Sequence, residues 1–384
     1  MRKILFSFLL GSLFLFGCGD EPLSKQVEVE TVPEQVAINT TDAIIPFFYQ
    51  YVGNMKNGSG ENSVRVGKSA DGIIVNSYGV DALDWKIGGD GNTETYGDPV
   101  FSYLSNGSWA LTSESGRDDS RGVGYLLYSE SSCPLVDDNE VIAIGPSSEK
   151  GCKDTRSITS GKTSQVFDVD GSNYVFHMIG GETYLAKMSD AENSAKDLKS
   201  ICVLETPVET IADLDYGDTT KVIHSDDILL SDTAIGHRAD GTWVLFIKGI
   251  PSDTAKSCKM GSSCELCARG IYRTTSTDLI NWTDLEKVVS QASVPEAVTM
   301  PDGTVRLYWQ DFANTCSADD LKIAAIAPIS TAYEMPGTFE LSEPVQTSYP
   351  DEEFESNSKI HYATNGNPVN ISGDAMSELE ACMN

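Results

Sequence analysis

Three carboxylates draw attention through their spacing. Four of the chain's two-residue turn signals, Asn106-Gly107, Asp170-Gly171, Asp240-Gly241 and Asp302-Gly303, recur at a similar spacing. Asp98 lies nine residues before Gly107 and Asp232 nine before Gly241. Glu296 lies seven before Gly303, the place that Ser164 holds before Gly171. A fold that closes such repeats into a ring brings residues at these offsets together. Carboxyl groups so gathered can perform general acid/base chemistry. One stays protonated because neighbouring negative charge raises its proton affinity, while another stays ionised and activates water. The competing role of an Asp at a strand start is structural, since its short side chain closes turns and binds backbone amides.

Other chemistry is more weakly signalled. His177 sits in the strand-like run SNYVFHM, from which it can face a central channel; His224, His237 and His361 complete the histidines. Asp168-Val169-Asp170-Gly171 and Asp90-Gly91-Asn92-Thr93-Glu94 alternate polar oxygen ligands around Gly as calcium loops do, but both lack the downstream bidentate Glu. Calcium is therefore an open expectation, specific to neither loop. The sequence has no HExxH, no GxSxG elbow and no phosphate-cradling glycine motif.

Apart from Cys18 there are eight cysteines, Cys133, Cys152, Cys202, Cys258, Cys264, Cys267, Cys316 and Cys382. An even count in an exported chain argues for disulfides. Cys133 and Cys152 flank one Gly/Ser/Pro-rich excursion and are the expected pair. Cys264-Glu265-Leu266-Cys267 has the CxxC form, but no second ligand pair for zinc and no thioredoxin-like context accompany it, so it reads as a loop staple.

Arg2 and Lys3 precede an uncharged apolar run, Ile4 to Phe16, that is too short to span a bilayer stably. Leu15-Phe16-Gly17-Cys18 resembles a bacterial lipobox with Cys18 as the lipidated residue. Gly19 in place of Asp leans, by the same resemblance, towards the outer membrane of a Gram-negative cell envelope. Residues 19–41 read as a polar tether, 42–349 as the folded body and 350–384 as a tail that Cys382 pins back. The formal charge is −30, and the acidic residues are scattered, as on a solvated surface. Such a surface repels nucleic acid and anionic headgroups, which leaves a monomer touching membrane through its lipid alone.

The elements that must position the carboxylates are strands. The four turn glycines are spaced by 64, 70 and 62 residues, and each is followed by an aromatic-rich run: SWALTS, SNYVFHM, TWVLFIKG, TVRLYWQ. Helical periodicity is confined to Asp190–Lys199 and Ala375–Met383. Ser69-Ala70-Asp71-Gly72 and Ser276-Thr277-Asp278-Leu279 look like one corner motif. The repeating region holds five units of about 63 residues, which predicts an all-β, five-bladed β-propeller. A pair of β-sandwiches would not explain the glycine spacing.

Asp98-Pro99 before an apolar strand, the x-Gly turn, the aromatic strand and the Ser276-to-Trp282 run SxDLxNW together resemble five-bladed glycoside hydrolases. These are the arabinanase/xylosidase group, glycoside hydrolase family 43, and its fructosidase relatives. Sialidases are a weaker match, because their Asp-box has Gly where Leu279 stands. The family resemblance makes Glu296 the general acid, with Asp98 and Asp232 as base and pKa modulator in either order. One acid protonates the leaving oxygen, and one carboxylate activates water from about 6.5–9.5 Å away when the enzyme inverts. The family holds its base in the first blade, where this chain offers Asp42 without a following Pro. A glycan partner would meet Trp309, Phe312 and His177. The alternative is a non-catalytic surface propeller that binds a protein or polysaccharide through loops stapled by Cys133–Cys152 and Cys258–Cys267.

Overall fold

The computed structural model describes residues 45–52, 62–82, 100–104, 106–113, 126–133, 142–153, 164–259, 262–300, 302–313, 316, 329–348, 360–361 and 372–383. All belong to one compact unit, Asn39–Asn384. Five groups of mostly antiparallel strands, arranged in four sheets, follow one another along the chain as the blades of a five-bladed propeller. Blade one holds β1 (Ile45–Val52), β2 (Asn62–Ser69) and β3 (Ile74–Ala82), and blade two β4 (Val100–Tyr103), β5 (Trp109–Ser113), β6 (Leu126–Ser131) and β7 (Ile142–Pro146). Blade three holds β8 (Phe167–Val169), β9 (Ser172–Ile179), β10 (Glu182–Ser189) and β12 (Asp218–Ile223). The extra strand β11 (Ser200–Val203) runs parallel to both β7 and β12 and sews blades two and three into one nine-stranded sheet. Blade four is β13 (Ile228–His237), β14 (Trp243–Pro251), β15 (Gly270–Ser276) and β16 (Glu286–Ser290). Blade five is β17 (Ala292–Thr299), β18 (Val305–Asp311), β19 (Ile329–Met335) and β20 (Thr338–Leu341). The chain then returns to blade one. β21 (Gln346–Thr347) pairs with β3, and β22 (Ile360–His361) pairs with β1.

The turn glycines set the register of the ring. Gly107, Gly171, Gly241 and Gly303 each join the first strand of a blade to the second, with φ of 81°, 80°, 81° and 77°, a backbone region glycine enters without steric cost. Inner strands are sheet edges, so half of their backbone groups point at the hub and need partners. The partners come from the same level of the neighbouring blade. Gln165, Ile235 and Ala297 all lie six residues before their glycine, and the buried Gln165 amide donates to the carbonyls of Ile235 (2.8 Å) and Ala297 (2.7 Å). Ser102 and Val166 both lie five before, and the Val166 N–H donates to Ser102 Oγ at 2.8 Å. His237 and Thr299 lie four before, and the His237 N–H donates to Thr299 Oγ1 at 2.9 Å.

Strand periodicity of two then decides what each blade face packs against. On blade four, Leu230, Ile235, Trp243, Leu245 and Ile247 join Phe176, Met178 and Leu185 of blade three, while Ala234, Val244 and Phe246 join Val305, Leu307 and Trp309 of blade five. The other face of blade five is polar: Glu296, Arg306, Tyr308 and Gln310 are all buried there, and Tyr308 donates its hydroxyl to the Gly72 carbonyl of blade one at 2.7 Å. At the Asp-Gly turns, buried Glu334 ties the outer strands of blades four and five together. It accepts from Arg238 at 3.1 Å and Arg273 at 2.6 Å.

The two Ser-x-Asp corners are one structure. Ser69 and Ser276 accept from the N–H three residues on, Asp71 and Asp278 accept from two following N–H groups, and the fourth residue of each sits at positive φ, Gly72 at 71° and Leu279 at 66°. Leu279 shows why the motif tolerates a non-glycine: its side chain is buried in the blade-three/four seam, so packing offsets the strained backbone.

The cysteines pair differently from the expected Cys133–Cys152. Cys133 joins Cys382, and Cys152 joins Cys202. Cys152 forms a β-bridge with Leu204, which brings it within reach of Cys202. Cys133, at the end of β6, faces the C-terminal helix α3 (Ser372–Met383). That helix is also anchored by buried Leu379, which packs with Phe101, Trp109 and Leu111, and by Glu380, which meets Lys68 at 3.2 Å and the Tyr78 hydroxyl at 2.8 Å. Twelve residues make a marginal helix alone, so these contacts hold it. The CxxC cysteines go to separate partners, Cys258–Cys264 and Cys267–Cys316, and their loop contains two short helices, α1 (Ser252–Ser257) and α2 (Ser263–Ala268), that periodicity did not forecast.

Candidate functional site

Asp232 and Glu296 lie on the adjacent inner strands β13 and β17, 1 % and 2 % exposed. Each is placed by a β-bulge. In β13 the register slips between Ser231 and Thr233, so Asp232 is the extra residue, at φ 48°. In β17 the slip falls between Ser293 and Glu296, and Val294 sits at φ 50°. Asp232 and Val294 are both nine residues before their turn glycine, so the two blades carry the same bulge at the same level. Bulges re-aim side chains and concentrate beside functional sites. Positive φ at non-glycine residues costs on the order of 1–3 kcal/mol each and persists only where the surroundings enforce it.

This register corrects one expectation. Glu296 is not the repeat-equivalent of Asp232; the equivalent is Val294, and Glu296 lies two residues further along, level with Ala234. Asp98 lies outside the described residues. β17 pairs Glu296 with Tyr308, so its side chain belongs to the polar face turned towards blade one. Burial pushes the Tyr308 phenol far above its ordinary range, which keeps this neighbour a neutral donor.

Lys248 was not anticipated. It is the lone charge in the strand WVLFIKGIP, and its Nζ makes an ion pair with Asp232 Oδ2, the ammonium side chain being 13 % exposed. A charged residue interrupting a buried apolar strand is the signal that sequence reasoning could have used.

Inner strands begin, and second strands end, at this end of the ring: Ile228 faces Pro251 and Ala292 faces Asp311. The cystine-knit loops leave from here. Arg269, after α2, donates to both oxygens of Glu265 (2.8 and 3.0 Å) and from its third nitrogen to Ser293 Oγ at 2.9 Å, next to the Val294 bulge. Glu182 flanks the start of β13, where Leu230 N–H meets the Gly181 carbonyl. Burial alone would raise the Glu182 carboxyl, but the Tyr184 hydroxyl, Lys221 and His224 hold it below the usual range.

The other candidates are placed elsewhere. Trp309 alternates with Leu307 and Val305 onto the apolar face against blade four, and is 3 % exposed. Phe312 is buried at the root of the 312–316 loop, its N–H on the Gln291 carbonyl and its own carbonyl accepting from Cys316. Neither presents an open ring face to a sugar. His177 is fully buried on the second strand of blade three, with Nε2 2.8 Å from Thr219 Oγ1 on the outermost strand, and so points away from the hub. The Asp168–Gly171 segment is the blade-three turn, closed on itself by the Gly171 N–H on Asp168 Oδ1 at 3.4 Å. Asp90–Glu94 lies outside the described residues. Among the described residues no group of three or more His, Cys, Asp or Glu is placed to hold a metal ion.

The sequence matches no protein-family model and no curated protein. Its fold is similar to solved structures of a Clostridium thermocellum exo-β-1,3-galactanase (13 % identity, TM-score 0.49, 84 % of this chain and 62 % of that one) and a Thermotoga petrophila endo-1,5-α-L-arabinanase (13 %, 0.46, 79 % and 75 %). It is also similar to a Bacteroides thetaiotaomicron endo-1,4-β-xylanase (14 %, TM-score 0.41, 78 % and 96 %). At these values the chain path is shared loosely, and any chemistry has to be read from side chains.

Proposed function

We propose that the chain acts on a glycan as a glycosidase, with Glu296 as general acid and Asp98 and Asp232 as base and pKa modulator. The observation that carries this reading is the pair of buried carboxylates on adjacent inner strands, each set by a bulge in the same turn register. Glu296 is almost wholly buried on β17, and burial disfavours the charged form of a carboxyl group, which suits the protonated form an acid needs. Asp232 lies against an ammonium, which favours the ionised form. Two carboxyl groups whose surroundings push their proton affinities apart form an acid/base assignment. The enzymes named above act on galactan, arabinan and xylan, and such neutral polysaccharides suit a chain of charge −30. Oligosaccharides of these types, offered to the purified chain and to Glu296→Gln, test the reading. Loss of a hundredfold or more in the variant supports it, and full activity in the variant removes Glu296 from the role.

A second reading, a non-catalytic binder, is favoured by the loops knit by Cys258–Cys264 and Cys267–Cys316 at the same end of the ring. It gives glycan binding that survives Glu296→Gln with no hydrolysis by either protein. For location, we keep Cys18 as a lipidated residue of an outer-membrane protein. Fatty-acid labelling that Cys18→Ser leaves unchanged would exclude that.

A further inference from the structure

Asp232 is a bulged residue at positive φ, almost wholly buried, and the strand beside it places a cation on its carboxyl oxygen. We infer that Lys248 is a positioning residue that pins Asp232 in this conformation and holds it ionised, so that the proton needed for catalysis resides on Glu296. The inference rests on the glycosidase reading for its consequence, but the state of Asp232 is measurable without it.

The neighbouring elements support the assignment. On β14 Lys248 shares its face with Val244 and Phe246, the face turned to blade five, so its ammonium enters an apolar layer and ends on Asp232. Among the described residues packed around β13, the other charges are engaged elsewhere. Glu182 of β10 is held by Lys221 and His224, and Lys187 binds the Leu214 carbonyl and Asp190. Asp253 and Lys256 of α1 pair with each other. Arg306 of β18 stacks on Tyr333, Asp311 accepts from Ser330, and His177 of β9 is on Thr219. Glu296 of β17 is the second carboxyl group on the adjacent inner strand, and it is the group on which the proposal places the proton. A lysine that served packing alone would leave the proton affinity of Asp232 indifferent to its charge.

The experiment uses the full chain labelled with carboxyl-13C aspartate, as wild type, Lys248→Met and Lys248→Arg, with Asp232→Asn to assign the resonance. Removing an adjacent cation raises a carboxyl pKa by about 1–3 units. The Asp232 midpoint should therefore rise by a unit or more in Lys248→Met and return in Lys248→Arg, and the acid limb of kcat/KM should move with it. An unmoved midpoint, or activity lost equally at every pH with no movement of the limb, overturns the inference. Should Lys248→Met fail to fold, an Asp232 still protonated at neutral pH in the wild type overturns it, and one ionised there and in Lys248→Arg sustains it. A wild type that hydrolyses none of the oligosaccharides refutes the glycosidase reading alone, leaving the titration to decide on Lys248.

Discussion

Replacing Gln165 by Leu tests whether the hub is held at the level the turn glycines define. The amide nitrogen donates at 2.8 Å to the Ile235 carbonyl and at 2.7 Å to the Ala297 carbonyl, and the residue is 1 % exposed. Leu fills nearly the same volume, so the cavity contribution is small, and the loss falls on two buried acceptors deprived of their donor. At about 1–3 kcal/mol for each unsatisfied group, and with some relaxation, the expected destabilisation is about 3 kcal/mol. That is a large part of a stability of about 5–15 kcal/mol. Urea denaturation followed by circular dichroism reads it as a lower midpoint at unchanged slope. Gln165→Glu sharpens the test. At neutral pH a carboxylate would face two carbonyl oxygens and should destabilise more than Leu. As the pH falls the protonated acid regains a donor, and the deficit should shrink. Because Ile235 and Ala297 lie on the strands that carry Asp232 and Glu296, activity per folded molecule should fall as well. A Gln165→Leu protein within about 0.5 kcal/mol of wild type would refute the hub argument, since a single buried hydrogen bond is worth about that or more.

Further expectations concern charge, staples and corners. Glu334→Gln weakens a buried carboxylate held by two arginines, each of which keeps a second acid, Asp240 or Glu286; stability should drop by about 2–4 kcal/mol in chemical denaturation. Cys133→Ser opens a disulfide spanning 249 residues and should cost on the order of 2–5 kcal/mol, with α3 losing hydrogen-exchange protection before the blades do. In the corners, burial alone would raise the carboxyls of Asp71 and Asp278, yet backbone N–H groups and the Ser69, Ser276 and Asn281 side chains hold both below the usual range. A folded-state value below the unfolded one means stability that is present above the unfolded pKa and lost as the pH falls through the folded value. Urea midpoints from about pH 6 down to about pH 2 should therefore decline, and less steeply in Asp278→Asn than in wild type.

The fold was legible because one physical signal repeats. A glycine at φ near 80° fills the first turn of blades two to five, and an Asn-Gly or Asp-Gly pair announces it there each time, so counting back from Gly107, Gly171, Gly241 and Gly303 recovers the hub contacts residue by residue. The same counting sets Val294, and not Glu296, level with Asp232, but the bulge at that level follows from backbone geometry that no residue type in SVPE declares. That Trp309, Phe312 and His177 are buried was not legible for a related reason. Residue type gives their chemistry, but the face they occupy depends on strand parity and on which blade lies opposite. Disulfide pairing was not legible, since it depends on contacts such as the Cys152–Leu204 bridge and the docking of α3, which join segments far apart in sequence. Lys248 was within reach: a charge inside WVLFIKGIP needs a buried partner, and Asp232 is the acid on the strand it pairs with.

The most direct test is a crystal structure of the chain with an oligosaccharide bound, read for the separations among the carboxyl groups of Asp98, Asp232 and Glu296. The account expects all three within about 10 Å of one another beside a glycosidic oxygen, in the range that acid/base cleavage requires. Carboxyl groups splayed beyond that distance, or a sugar seated away from the starts of β13 and β17, would contradict it.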